Sequence, residues 1–87
     1  MIKVRIKVRG LKVVEEAIGG RETVIEFEGN SLGDFIRAVD EHYGEEVRKA
    51  MLVQVLKNNR HWVKHEDLST PLEDGDTLSF FNMVAGG

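Results

Sequence analysis

Eighty-seven residues with a formal net charge of −3, 12 Lys and Arg against 15 Asp and Glu, make one small domain with room for a single core. The acidic balance argues against a chain built to grip nucleic-acid phosphates, and the longest apolar run, Ala50 to Val53, is far short of the ~20 residues of a membrane span. Cysteine is absent, which excludes a disulfide framework and a thiol nucleophile, fits a reducing cytoplasmic setting, and requires any sulfur chemistry to use sulfur brought from outside.

Met1-Ile2-Lys3 leads straight into a strand pattern, so no secretory leader is expected. Ile2, Val4, Ile6 and Val8 alternate with Lys3, Arg5, Lys7 and Arg9, the period of two that buries one face and wets the other. The basic row reads either as a docking patch or as the partner of Glu22, Glu26 and Glu28 in a second strand, Glu22 to Glu28; pairing across strands is the favoured reading. Between the two strands, Gly10 to Arg21 reads as a short helical turn or a wide hairpin loop, with Gly19-Gly20 as a turn.

Asn30-Ser31 opens a helix, with Ser31 as N-cap and Asp34 at the capping-box position. Leu32, Phe35, Ile36, Val39 and Tyr43 form one apolar stripe, and Gly44 sits where a glycine ends a helix. Glu45 to Ala50 reads as a further helical turn pinned by Val47, leading into a strand from Met51 to Lys57. In that strand Val53 and Val55 share one face, and Leu52, Gln54 and Leu56 the other. Asn58-Asn59 predicts a two-residue turn with left-handed backbone, and Arg60 to Val63 a return strand bearing Trp62. After the turn Pro71 to Asp76, the last strand runs from Thr77 to Phe81. Two strands, a helix and three more strands predict an α+β, ubiquitin-like β-grasp fold, a mixed sheet of about five strands with one main helix and with the first and last strands side by side. The expected organisation is a β-grasp domain over residues 1–81 and a flexible C-terminal tail over 82–87.

The core expected from these patterns is Ile2, Val4, Ile6, Val8, Ile25, Phe27, Leu32, Phe35, Ile36, Val39, Val53, Val55, Leu78 and Phe80. Leu52, Leu56, Phe81 and Met83 find no place in it and are candidates for a partner-docking patch, unless a loop bearing Trp62 covers them. His61 and His65 have a spacing that would hold a metal on a helix, but a strand followed by a loop separates them, and no metal site is expected. The adjacent carboxylate pairs diverge as solvated surface, and no nucleophile-base or phosphate-loop arrangement is discernible, so no catalytic residue is assigned. The tail Asn82-Met83-Val84-Ala85-Gly86-Gly87 carries the chemistry. Two glycines without Cβ atoms pass a channel too narrow for side chains, leaving the Gly87 α-carboxylate as the reactive group. Val84, Ala85 and Gly86 serve access, and the six residues from Phe81 to Gly87 reach about 20 Å when extended.

The run Thr70-Pro71-Leu72-Glu73-Asp74-Gly75-Asp76-Thr77-Leu78-Ser79-Phe80-Phe81, followed by Val84-Ala85-Gly86-Gly87, resembles the turn, last strand and tail of the small subunit of molybdopterin synthase, a ubiquitin-like sulfur carrier. Glu16-Ala17-Ile18-Gly19 and Ser31-Leu32-Gly33-Asp34-Phe35 are similar to that family as well, and the likeness spans essentially the whole chain. The chain departs from the family's pattern in having Asn82-Met83 where a pair of prolines is usual, and Asn58-Asn59 where the turn is Asn-Gly. The resemblance implies a carrier with no catalytic machinery and no bound cofactor. A ubiquitin-activating-like adenylyltransferase would use ATP and magnesium to convert the Gly87 carboxylate to an acyl-adenylate. A sulfur donor would then give a thiocarboxylate, and the molybdopterin synthase large subunit would receive it for molybdenum cofactor biosynthesis. Related carriers serve thiamine synthesis or other pathways, or are conjugated to protein lysines; a plain binding module with an incidental Gly-Gly is the third possibility. Nucleic acid and membrane are not expected partners.

Overall fold

The computed structural model describes residues 1–51 and 54–81. Val53 of the expected core and Leu52, Met83, Val84, Ala85, Gly86 and Gly87 of the expected site lie outside the described residues. Strand β1 spans Ile2–Arg9, helix α1 Lys12–Ile18, β2 Glu22–Phe27, α2 Leu32–Tyr43, α3 Glu45–Met51, β3 Gln54–Lys57, β4 His61–Val63 and β5 Thr77–Phe81. The strands form one sheet in the order β2-β1-β5-β3-β4, with β1 and β5 parallel at its centre and the other pairs antiparallel. This is the β-grasp arrangement expected from the strand order, with three helices where one main helix is predicted.

Alternation in β1 buries Val4, Ile6 and Val8 beneath the helices and leaves Lys3, Arg5 and Arg9 exposed. From α2, Leu32, Phe35 and Val39 are buried, while Ile36 and Tyr43 pack at the core's margin. Phe35 joins the helix to the sheet: its ring lies edge-on to Phe27, with centroids 5.9 Å apart, and stacks on Phe80 at 6.0 Å. The N-cap forms as predicted. The Ser31 hydroxyl accepts from the Asp34 N–H at 3.2 Å and donates to the Asp34 carboxylate at 2.8 Å, and that carboxylate also accepts from the Asn30 N–H at 3.1 Å. Gly29, at φ 129°, lies against the same carboxylate, and a Cβ there would overlap it.

Within the region 10–21 the chain forms a helix, α1, over Lys12–Ile18. Leu11 and Val14 are buried, Ile18 packs at the margin, and Gly19 closes α1 in the left-handed conformation at φ 80°. The strand predicted from Met51 needs correction, since Met51 belongs to α3 and is buried four residues after Val47, one helical turn along the same face. Glu28 falls beyond the end of β2, and Arg60 lies in the turn before β4. Asn58 and Asn59 both have positive φ, 52° and 59°, as their sequence predicts, and the Arg60 N–H closes the turn on the Lys57 carbonyl at 3.0 Å.

The segment between β4 and β5 has no regular element, yet it is well bonded. The Thr70 and Leu68 carbonyls accept from the Leu32 and Gly33 N–H groups, donors in the first turn of α2 that have no partner within the helix. Leu72 is buried in the core. Just before β5, the buried Asp76 accepts from the Glu73 N–H at 2.8 Å and the Asn58 side-chain amide at 3.0 Å, with Lys57 Nζ 3.8 Å away. Asn58 in turn accepts from the Thr77 N–H at 2.8 Å. The start of β5 is thereby fastened to both β1 and the β3–β4 turn, because Arg5 N–H also donates to the Asp76 carbonyl at 2.9 Å.

Candidate docking face

The sheet has helices on one side only, so its other side is where the expected docking residues must be sought. Pairing register defines that outer face, since residues directly opposite one another point the same way. Leu56 lies opposite Ser79 of β5 and Trp62 of β4, Gln54 opposite Phe81, and Phe81 opposite Arg9 of β1. Leu56 and Phe81 are half-buried on this face, and Ser79 between them is buried by its neighbours.

Trp62 does not cover the patch as a lid. The residue is 59% exposed and its ring meets Phe81 edge-on, with centroids 6.0 Å apart, so it extends the apolar surface. Assigning Trp62 to the docking residues needed only the strand alternation of β4, which puts it on the face opposite to Val63. The apolar area lies toward the end of β5 at Phe81, the last described residue before the Gly-Gly segment.

Beyond β5 the same face turns basic. Lys7 stands opposite Ser79 and Arg9 opposite Phe81, and Lys7, Arg9, Arg21, Glu22, Asn59 and Phe81 line a shallow groove. Of the four cations in this β1 row, only Arg5 makes an ion pair among the described residues. Arg5 Nη1 bonds Glu22 Oε1 at 3.0 Å, while Lys7 and Arg9 take part in no ion pair among the described residues. Glu22 lies directly opposite Lys7, but its carboxylate turns to Arg5 instead. His61 lies in β4, and His65 follows in the next turn with Nε2 3.8 Å from Glu66. No described helix is long and apolar enough to cross a membrane.

A parallel β1–β5 centre, a helix across one face, an open apolar outer face and a strand leading to Gly-Gly define a ubiquitin-like β-grasp protein. The model of the ThiS family matches residues 11–87, and the chain belongs to that family of ubiquitin-like sulfur carriers. Small archaeal modifier protein 3 of Haloferax volcanii is 36% identical over 64 residues, covering 66% of this chain and 70% of that protein. The solved structure of a putative molybdopterin converting factor subunit 1 from Pyrococcus furiosus shares the fold, with a TM-score of 0.70 at 24% identity over 97% of this chain and 100% of its own. A chain in the complex of subunits 1 and 2 of the molybdopterin-converting factor from Helicobacter pylori is similar at a TM-score of 0.64 and 25% identity, over 99% of this chain and 100% of its own.

Proposed function

We propose that this chain is a cytoplasmic sulfur carrier whose Gly87 α-carboxylate is adenylated and converted to a thiocarboxylate, and that it serves as the small subunit of molybdopterin synthase. The observation that carries the carrier reading is the family match, which runs through residue 87 and so takes in the Gly-Gly segment, and the likeness to the molybdopterin-converting factor chain from Helicobacter pylori supports the choice of synthase. A carboxylate is a poor electrophile. Attack of its oxygen on the α-phosphorus of ATP releases pyrophosphate and leaves a mixed anhydride, and a sulfur nucleophile then displaces AMP at the carbonyl carbon. ATP and magnesium belong to the ubiquitin-activating-like enzyme, and this chain supplies the acyl group and the handle. Phe81 and Leu56, with Met83 and Leu52, are the residues proposed to dock on that enzyme and on the synthase large subunit. Gly86, Ala85 and Val84 are the narrow part that enters the active site.

The likeness to small archaeal modifier protein 3 favours a second reading, in which the same activated carboxyl ends in an isopeptide bond to a lysine of another protein. The test is incubation with the activating enzyme of the same organism, ATP-magnesium and a sulfur donor, followed by intact mass. A gain of one sulfur for one oxygen supports the carrier, a lysine-linked adduct supports the modifier, and an unchanged mass overturns both. Gly86→Val places a branched side chain in the entry channel and is expected to abolish ATP–pyrophosphate exchange without shifting the melting temperature.

A further inference from the structure

On the side away from β3 and β4 the sheet ends in β2, and among the described residues no strand pairs with that edge. Its outward main-chain groups follow from the pairing. Val8 N–H donates to the Arg21 carbonyl at 2.8 Å, and in an antiparallel pair such bonded partners recur at every second residue. Thr23, Ile25 and Phe27, opposite Ile6, Val4 and Ile2, therefore bond inward to β1, whereas the N–H and C=O groups of Glu22, Val24 and Glu26 point outward from the edge. Beside the edge a groove runs between β2 and α2, with Ile25, Phe27 and Ala38 as apolar lining and Glu26, Glu28 and Glu41 along it. Among the described residues these three carboxylates take part in no ion pair, and Arg37 is the one Lys or Arg that lines the groove.

We infer that this edge binds an extended, basic segment of another protein, which adds a strand to the sheet beside β2. The outward groups of Glu22, Val24 and Glu26 supply the hydrogen-bond ladder that strand addition uses. A second copy of this chain is a poor occupant. Its outward groups would have to meet the same residues of the first copy, and two β2 strands paired antiparallel about Val24 or Ile25 set Glu22 against Glu26 or Glu28, where like charges directly opposite repel. The strand that β2 already accepts shows the composition it favours: β1 sets Lys3 and Lys7 opposite Glu26 and Glu22, with Val4 and Ile6 on the core side. An added segment of the same kind, Lys or Arg alternating with Val or Ile, lays its cations beside Glu22 and Glu26 and its apolar residues along the groove toward Ala38. Because β1 stands between this edge and β5, the segment leaves β5 and the proposed docking face free for a second partner. The inference does not rest on the carrier reading.

The experiment titrates the isotope-labelled full chain with a short capped peptide of alternating Lys and Val, followed by two-dimensional NMR. Amide shifts are expected to centre on residues 22–28 and on Arg37, Ala38 and Glu41, with slowed hydrogen exchange at the Val24 and Glu26 amides. Val24→Pro removes one outward N–H and no bond to β1, a change that an edge strand accommodates, and is expected to raise Kd roughly tenfold or more. Glu26→Gln, which serves where Val24→Pro does not fold, is expected to raise Kd roughly threefold at low salt. Glu46→Gln, the same change in charge on an exposed position of α3, is expected to leave Kd unchanged, and a Glu–Val peptide of equal length is expected not to bind. The inference is overturned if the Lys–Val peptide does not bind, if its shifts fall instead on Leu56, Trp62 and Phe81, or if the Glu–Val peptide binds as tightly. It is overturned as well if Glu26→Gln, or a folded Val24→Pro, binds as wild type does, or if sedimentation shows the chain pairing with itself through this edge. Neither ATP nor an activating enzyme is present, so this outcome is separate from that of the intact-mass assay, on which the carrier reading stands or falls.

Discussion

Phe80 and Phe81 are consecutive residues of the same strand. Phe80 is 1% exposed, stacked on Phe35 in the core, while Phe81 is half-buried on the outer face against Trp62. The two ends of β5 differ as sharply. At its start, the buried Asp76 and Asn58 bind the strand to the β3–β4 turn, while its last residue borders an open groove. Stability is concentrated on the core face and at the start of the strand. The surface proposed for docking lies on the outer face and at its end. The proposed carrier role is served by this separation, because residues that dock on a partner are then free to do so without carrying the fold.

The largest break in that comparison comes from the core side. Phe80→Ala removes a fully buried ring and leaves a cavity beside Phe35, and is expected to cost about 3–5 kcal/mol. This is a large share of the ~5–15 kcal/mol that holds a typical domain folded. Urea denaturation followed by circular dichroism measures it, and a loss under about 1 kcal/mol would mean that the core closes without this ring.

A smaller loss is expected at the start of β5. Asp76→Ala removes the acceptor of the Glu73 N–H and of the Asn58 amide and the carboxylate near Lys57, a cost of about 1 kcal/mol, because water can reach donors on these exposed residues. If the two ends of the strand are as separate as described, this variant folds less stably but binds the activating enzyme with wild-type affinity once folded. Impaired binding at a temperature where the variant is fully folded would show that the two ends are coupled.

Acid should sharpen the comparison more gently: of the two perturbed carboxylates, Asp34 lies in the first turn of α2 and Asp67 lines a groove with Trp62. The Ser31 hydroxyl, and then the Asn30 N–H, hold Asp34 below the usual carboxylate range. Asp67 is lowered by the Ser69 hydroxyl and by the Ser69 N–H. A folded-state pKa below the unfolded value, about 3.9, gives stability that is fully present above that value and is lost as pH falls through the folded one. The urea midpoint should therefore hold from neutrality to about pH 4.5 and decline below about pH 4. Asp34→Asn should flatten part of that decline, and an unchanged slope in this variant would remove Asp34 as its source.

What the sequence made legible was local. Strand β1, the α2 stripe with its Ser31 cap, the left-handed Asn58-Asn59 pair and β5 each follow from side-chain periodicity or from one residue's backbone preference. Helix α1 stayed ambiguous because seven residues give two turns of pattern at most, although Leu11, Val14 and Ile18 do recur at helical spacing. Met51 reads as strand because an apolar run of four residues suits a buried strand equally well, whereas its burial one helical turn after Val47 places it in α3. The burial of Asp76 and Leu72 depends on partners far away in the chain, which no local pattern encodes. Of the candidate site, Leu56 and Phe81 follow from alternation, and the return strand bearing Trp62 is legible too, but whether Trp62 covers the patch or extends it depends on the ring's contact with Phe81. The unpaired state of Lys7 turns on which neighbour Glu22 bonds, a choice between Arg5 and Lys7 that register alone leaves open.

The smallest effect on stability belongs to Phe81, and it separates the two faces most cleanly. Phe81→Asp puts a carboxylate where the face is already half open to water, so the fold should lose no more than about 1 kcal/mol, in the range of a substitution outside the core. The same change places a negative charge on the apolar part of the outer face, where docking would desolvate it. Docking on the proposed surface is then expected to weaken, because that surface loses its apolar ring and gains a charge. The expected result is a melting temperature near that of wild type with loss of measurable binding to the activating enzyme. Phe80→Ala gives the converse at a temperature where it remains folded, lower stability with binding retained. If Phe81→Asp binds as wild type does, the outer face is not the docking surface.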